Sequence, residues 1–363
     1  MKNIIFSIIT LSTIFSQINL SGDARIRPRL DIIDYGNNKS SMDLYYLYRA
    51  HINIDADIGN GWFFNTKLGT NDIAGMVRMG KDGTYNKKID NDDEINEFIK
   101  GYSDGPGNSN SARPQVDFLN LYYGIKKDKF GFWGGAIPLK HNSALDIHFY
   151  PDKMVDIPWK NWNNESTTGF AGYIGKFNWF LSIDGDKKEI DKDGETRKNI
   201  DPFSFGFDFS VKWNDILQTL RPRGIFSIAN LDEPWPMTFG LDINFINIFK
   251  IKPVISYYYT SQSINKDYNY NGSHLRFRID RELGPGKLNF WTDLVSHICD
   301  TDIEGEYKKT DYVYLWLDYD YNFFNSDFGS ISIKPTIRIL TQKTSNSNYS
   351  RMKFELTTGI KFK

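Results

Sequence analysis

The stretch GDARIRPRL, residues 22–30, sets Arg25, Arg27 and Arg29 at every second position. Further bases stand in similarly alternating surroundings: Arg49 in YLYRAH, Lys334 and Arg338 in SIKPTIRI, and Arg351 and Lys353 in SRMKF. A period of two places such residues on one face of a strand, and a row of fixed cations attracts anions and orients dipolar solutes. The opposite charge is offered by the segment PLKHNSALDIHFYPDKMVDIPWKNWNNE, residues 138–165. It carries Asp146, Asp152, Asp156 and Glu165, with Lys140, Lys153 and Lys160 diluting the acidic bias. The chemistry these groups offer is electrostatic rather than covalent.

Other chemistries find less support. There are five histidines, His51, His141, His148, His274 and His297. His141, Asp146 and His148 do not match the spacing of a helical or knuckle zinc site. The segment EIDKDGE, residues 189–195, resembles the start of a calcium loop, but the bidentate acid such a loop needs near its end is replaced by Ile200. No serine stands in a nucleophile elbow, and no glycine-rich phosphate loop joins a strand to a helix. The chain is read as a non-enzyme, with no catalytic residue and no metal or other cofactor implied. Its single cysteine, Cys299, excludes an intramolecular disulfide.

The elements that must position the charges are strands. In DPFSFGFDFSVKW the residues Phe203, Phe205, Phe207, Phe209, Val211 and Trp213 oppose Ser204, Gly206, Asp208, Ser210 and Lys212. MTFGLDINF and the terminal MKFELTTGIKF alternate in the same way. The pattern predicts about sixteen strands. They begin near Ile18, Leu44, Trp62, Val116, Phe130, Thr167, Phe177, Pro202, Leu217, Met237, Phe249, Ser273, Lys287, Asp311, Ile331 and Arg351. Short connections alternate with longer polar ones, at about 31–43, 71–114, 138–166, 185–201, 229–235, 261–272, 297–310 and 341–350. Trp62, Phe130, Phe177, Trp213, Phe249, Tyr321 and Phe362 belong to the apolar rows and lie beside short turns, where a membrane-interface girdle would sit. Pro28, Pro222, Pro253 and Pro335 fall inside predicted strands, each after a base, all on strands running the same way. Proline removes a ladder donor, so bulges or shortened pairing are expected there.

The N-terminal MKNIIFSIITLSTIFSQ has one lysine and an apolar run of secretory proportions, so residues 1–16 are read as a signal peptide and 17–363 as the mature chain. Nothing later approaches about 18 uncharged apolar residues, so any membrane crossing is made by strands. The formal net charge of −1 gives no basis for nucleic acid binding. In hydrocarbon no water satisfies backbone N–H and C=O groups, and a spanning sheet must therefore close on itself. The expected fold is all-β: a transmembrane antiparallel barrel with short periplasmic turns and longer extracellular loops, its apolar rows against lipid and its polar rows lining water.

The segments SGDARIRPRLD and YLYRAHINIDADIGNGW, with the strand-ending Phe362, resemble outer-membrane porins of Gram-negative bacteria. The resemblance covers most of the mature chain as a pattern. It implies a sixteen-stranded barrel in the bacterial outer membrane, often a homotrimer, with the third outer loop, 138–165, folded inward to narrow the pore. One departure is Lys363, which follows the aromatic that usually ends such chains. Closing the last strand on the first would gather Arg25, Arg27, Arg29, Arg49, Lys334, Arg338, Arg351 and Lys353 into one basic arc, with His51 nearby and Asp31 and Glu355 interrupting it. The function expected is a passive diffusion channel for small polar solutes with modest anion preference. Two alternatives stand beside it. One is a transport barrel for a single solute class, phosphate, sugars or uronate oligomers, with Tyr122, Trp133, Tyr258, Trp291, Tyr314 and Trp316 stacking on sugar rings. The other is a secreted, soluble all-β binding protein.

Overall fold

The computed structural model describes residues 18–36, 39–70, 77–78, 116–138, 166–183, 203–212, 217–228, 237–247, 249–265, 268–300, 307–344 and 348–363. They form one antiparallel sheet. In chain order its strands are β1 (Ile18–Asp34), β2 (Ser40–Gly59), β3 (Trp62–Thr70), β4 (Val77–Arg78), β5 (Val116–Lys126), β6 (Phe130–Pro138), β7 (Ser166–Ile174), β8 (Phe177–Ile183) and β9 (Phe203–Phe209). They continue with β10 (Leu217–Ile228), β11 (Met237–Phe245), β12 (Ile251–Asn265), β13 (Tyr268–Leu283), β14 (Gly286–Asp300), β15 (Tyr307–Ser326), β16 (Gly329–Thr344) and β17 (Asn348–Phe362). β4 is a two-residue segment paired to β2. The other sixteen pair in sequence, and β1 pairs with both β2 and β17, which closes the ring.

The partition of side chains is the reverse of that in a soluble core. Leu20, Ile26, Leu44, Ile52, Phe118, Phe132, Phe239, Leu294, Phe354 and Ile360 are exposed, whereas Arg29, Asp31, Arg49, Asp208, Asp293, Arg338 and Lys353 are buried. A soluble chain does not leave such a continuous apolar surface in water. The closed ring with its apolar exterior is a transmembrane barrel.

The alternation located the turn-side ends of the strands closely. Trp62, Phe130 and Phe177 open β3, β6 and β8 where expected, after short turns. The β2–β3 turn is Asn60–Gly61, with φ of 54° and 82°, the pair that a two-residue hairpin of matching twist prefers. The opposite ends run on further than the pattern indicated. β2, β13, β15 and β17 begin at Ser40, Tyr268, Tyr307 and Asn348, so the loops expected at 31–43, 261–272, 297–310 and 341–350 are largely strand. Apart from Met42, neither face of SSMD, YNYN and YKKT carries an aliphatic residue. Backbone pairing there continues without the apolar row that marks a strand. Trp62, Phe130, Phe249 and Phe362 of the predicted girdle are exposed, while Trp213 lies outside the described residues. Phe249 and Lys250, between β11 and β12, both take positive φ, 51° and 63°, without the glycine or asparagine usual in that region. Phe249 is 88% exposed.

The four prolines follow one rule. Pro28, Pro222, Pro253 and Pro335 stand opposite Tyr46, Leu241, Ile279 and Leu356 on the following strand of the ring. Toward the preceding strand the pairing lapses at each. β1–β17 skips from Ile26↔Thr358 to Arg29↔Glu355. β10–β9 starts only at Arg223↔Asp208, β11–β12 stops at Asn244↔Val254, and β15–β16 skips from Tyr321↔Ile333 to Asp318↔Thr336. Chirality accounts for the common direction. On strands that run the same way, every outward L-residue turns its N–H and C=O toward the same neighbour. No register shift is needed, because each proline omits a donor from one seam. The restriction to strands running one way has no such explanation.

Pro335→Val returns a donor to the gap facing β15. The expected gain is about 1 kcal/mol, read as a higher urea midpoint of the barrel refolded in lipid vesicles. An unchanged or lower midpoint would show that the gap is held for another reason.

Candidate functional site: the charged inner wall

Ring closure brings β15, β16, β17, β1 and β2 side by side, and the register sets their inward residues in rows. Arg338 stands opposite Lys353, and Lys353 opposite Asp31. Arg25 stands directly opposite Arg49, a like-charge pair that would be unfavourable alone. Asp23 relieves it, lying 3.1 Å from Arg25 and 2.8 Å from Arg49, with His51 at 3.6 Å. Glu355 serves three guanidiniums: Arg29 at 2.5 Å, Arg338 at 2.8 Å and Arg27 at 3.7 Å. Asp31 accepts a fork from Arg351 at 2.8 and 2.5 Å, with Lys353 at 3.9 Å and the Tyr45 hydroxyl at 3.2 Å. Lys334 reaches Asp318 at 3.1 Å and Asp320 at 4.0 Å.

All eight bases expected in the arc are therefore on one wall, and the carboxylates that pair with them there include Asp23, Asp31, Asp318, Asp320 and Glu355. Shared carboxylates fix the guanidiniums in place, because a planar fork held at one edge loses little further freedom. The wall gathers eight basic side chains, and Asp43, Asp55 and Asp57 share the inward face of β2 with Arg49. The acidic residues expected to face it, Asp146, Asp152, Asp156 and Glu165, lie outside the described residues, as do His141, His148 and the segment 189–195.

A second basic group sits on β10 and β13, farther around the ring. Arg221 and Arg223 occupy alternate positions of LRPRG, and Arg276 and Arg278 of HLRFRID. The sequence marks Arg221 only as the base before Pro222 and does not bring these four arginines together. The signal was the same period of two that picked out Arg25, Arg27 and Arg29. Each of these arginines has its own carboxylate: Arg221–Asp208 at 2.9 Å, Arg223–Asp242 at 2.9 Å, Arg276–Asp293 at 2.7 Å and Arg278–Asp280 at 2.8 Å.

Two indoles connect the groups. Trp291 of β14 stacks on Trp316 of β15 with centroids 4.4 Å apart and planes at 13°. The Arg338 guanidinium lies 3.8 Å from the Trp316 centroid, and that of Arg276 lies 5.8 Å from the Trp291 centroid. Trp316 is thus held between an indole from β14 and a guanidinium from β16, which are worth about 1 kcal/mol each as aromatic and cation–π contacts. The remaining sector is different. β6, β7 and β8, reading FGFWGGAIP, STTGFAGYI and FNWFLSI, carry no Asp, Glu, Lys or Arg on either face.

No protein-family model matches the sequence, and no curated protein matches it either. Solved structures of similar fold exist. The outer membrane channel DcaP of Acinetobacter baumannii aligns with a TM-score of 0.55 at 11% identity, over 95% of this chain and 97% of that one. An anion-selective porin from Comamonas acidovorans aligns at 0.52 and 11% identity, over 94% and 99%. OmpT of Vibrio cholerae aligns at 0.53 and 8% identity, over 95% and 97%. At these identities the likeness is one of fold, and it extends over nearly the whole of each chain.

Glu355→Gln removes the carboxylate that three guanidiniums share. The loss expected is about 3 kcal/mol, because buried cations are left uncompensated. It would be read as a lower urea midpoint in vesicles, whereas the Arg25→Gln variant, at the more exposed end of the arc, should lose less than about 1 kcal/mol. Equal losses in the two variants would argue against Glu355 as the centre of the network.

Proposed function

We propose that the chain is an outer-membrane porin, a passive diffusion channel for small polar solutes that favours anions. Residues 1–16 act as its export signal in this reading. The observation that carries it is the inner wall of β15–β17, β1 and β2, where Arg25, Arg27, Arg29, Arg49, Lys334, Arg338, Arg351 and Lys353 are gathered side by side and held in place by carboxylates. A sixteen-stranded barrel is wide enough to enclose an aqueous channel. Within it, fixed positive charge on one side raises the local concentration of anions and turns dipolar solutes. The carboxylates of segment 138–165, Asp146, Asp152, Asp156 and Glu165, would supply the negative side of the field. Two proteins of similar fold, an outer membrane channel and an anion-selective porin, are in keeping with this reading.

The sugar-specific alternative loses ground on geometry. Of the inward rings that could stack on a saccharide, Trp316 has its faces taken by Trp291 and Arg338. A solute ring would have to displace one of them.

Planar-bilayer recording across a tenfold KCl gradient should give a reversal potential of the sign set by chloride. Replacing Arg25, Arg27 and Arg29 together with Gln should bring it toward zero, with the unitary conductance still measurable. Cation preference in the unaltered protein, or no change in the triple variant, would overturn the role given to this wall.

A further inference from the structure

Between β10 and β13 the inner wall encloses a cavity of about 220 Å³, lined by Arg221, Arg223, Arg276 and Arg278 together with Tyr258 and His274, among others. It is smaller than the roughly 300–1,000 Å³ of pockets for drug-sized ligands. The lining contains a single carboxylate, Asp242, which is engaged by Arg223 at 2.9 Å and by the Tyr258 hydroxyl. The other three counter-charges do not line the cavity. Asp208 and Asp293, on the flanking strands β9 and β14, are fully buried, and Asp280 pairs with Arg278. Four arginines therefore line one small space that a single carboxylate shares with them.

The wall is shaped for this. A side chain at position 240 would collide with the Tyr258 ring, 1.8 Å from a Cβ built there, so Gly240 lets that ring lie flat against β11 and bring its hydroxyl to Asp242. His274 and Arg276 both hold Asp293, at 2.8 and 2.7 Å, which fixes the Arg276 fork in place. A guanidinium has five N–H donors, so one edge can hold a carboxylate behind it while another meets an anion in front.

We propose that this cavity is a binding station for a multivalent oxyanion, a phosphate or a di- or tricarboxylate, separate from the basic arc on β15–β2. The station rests on the channel reading only for its role in transport; its occupancy is a property of the folded barrel alone. Paired arginines attract an anion less strongly than bare ones would. That moderation suits a channel, in which a site must bind well enough to be entered and weakly enough to be left.

The test uses the refolded full chain in two formats, with inorganic phosphate and citrate as probes. In single-channel recordings at constant KCl, graded phosphate or citrate should reduce the current reversibly. Arg276→Gln and Arg278→Gln should each raise the half-blocking concentration at least fivefold, and Lys309→Gln, on an exposed part of β15 and in neither basic group, should leave it within twofold. Calorimetric titration of the protein in detergent should show the same order for binding. Arg278 is the most exposed of the four and its replacement is the least demanding on folding; Tyr258→Phe, which removes only a hydroxyl, gives a second check. The anion that blocks at the lower concentration identifies the preferred class. Block and binding unchanged in the cavity variants, or relieved only by Lys309→Gln, overturn the station. Binding that follows the predicted order in a protein without conductance would overturn the channel reading and keep the station.

Discussion

Everything in this barrel follows from the lack of water in hydrocarbon. A backbone that crosses it must find all its hydrogen-bond partners within the protein. Sixteen strands meet that demand by pairing in sequence and joining the first to the last, with Ala24↔Ile360 and Leu30↔Phe354 among the closing pairs. Once the ring is closed, each strand has one face for lipid and one for the interior, and a period of two in the sequence becomes a partition between two solvents. The prolines show how strict the rule is and how it is accommodated. Each occupies an outward position whose N–H would point to the preceding strand, and each leaves its other seam intact.

The same partition concentrates charge. Bases that are scattered over more than three hundred residues of sequence meet on one wall because the closing seam brings β16 and β17 beside β1 and β2. Glu355, from β17, binds Arg29 of β1 and Arg338 of β16 across both of its seams. The network is therefore structural and electrostatic at once: its carboxylates tie neighbouring strands together and hold the cations still. A fixed cation produces a more directed field than a mobile one, since no reorganisation is needed when a solute arrives.

Much of this was legible in the sequence, and the limits have identifiable causes. Alternating Phe203–Phe209 and Met237–Phe245 revealed strands because burial on one side only leaves a period-two trace. The arc was legible because Arg25, Arg27 and Arg29 sit on the terminal strand, and closure dictates its neighbours. The polar upper ends of β13, β15 and β17 were missed since pairing above the membrane needs no apolar row. The Arg221–Arg278 group was missed for a different reason. Its two segments are over fifty residues apart, and only register shows that Arg221, Asp242, Ser256 and Arg276 form a continuous row across four strands. The seam at which each proline leaves its gap is not legible in composition, because the direction of an N–H depends on the handedness of the sheet.

The turn at Phe249–Lys250 has a consequence of its own. Two consecutive residues with side chains hold the left-handed conformation there, at a cost of order 1–3 kcal/mol each, where Asn60–Gly61 reaches the same geometry cheaply. No packing inside the ring repays this, since the Phe249 side chain is almost wholly uncovered. An exposed aromatic ring at a turn-side strand end suits the aromatic girdle that borders the apolar band of outer-membrane barrels. That tip works as a depth gauge: sliding the barrel up or down would drag the ring out of its preferred layer while leaving the local distortion in place.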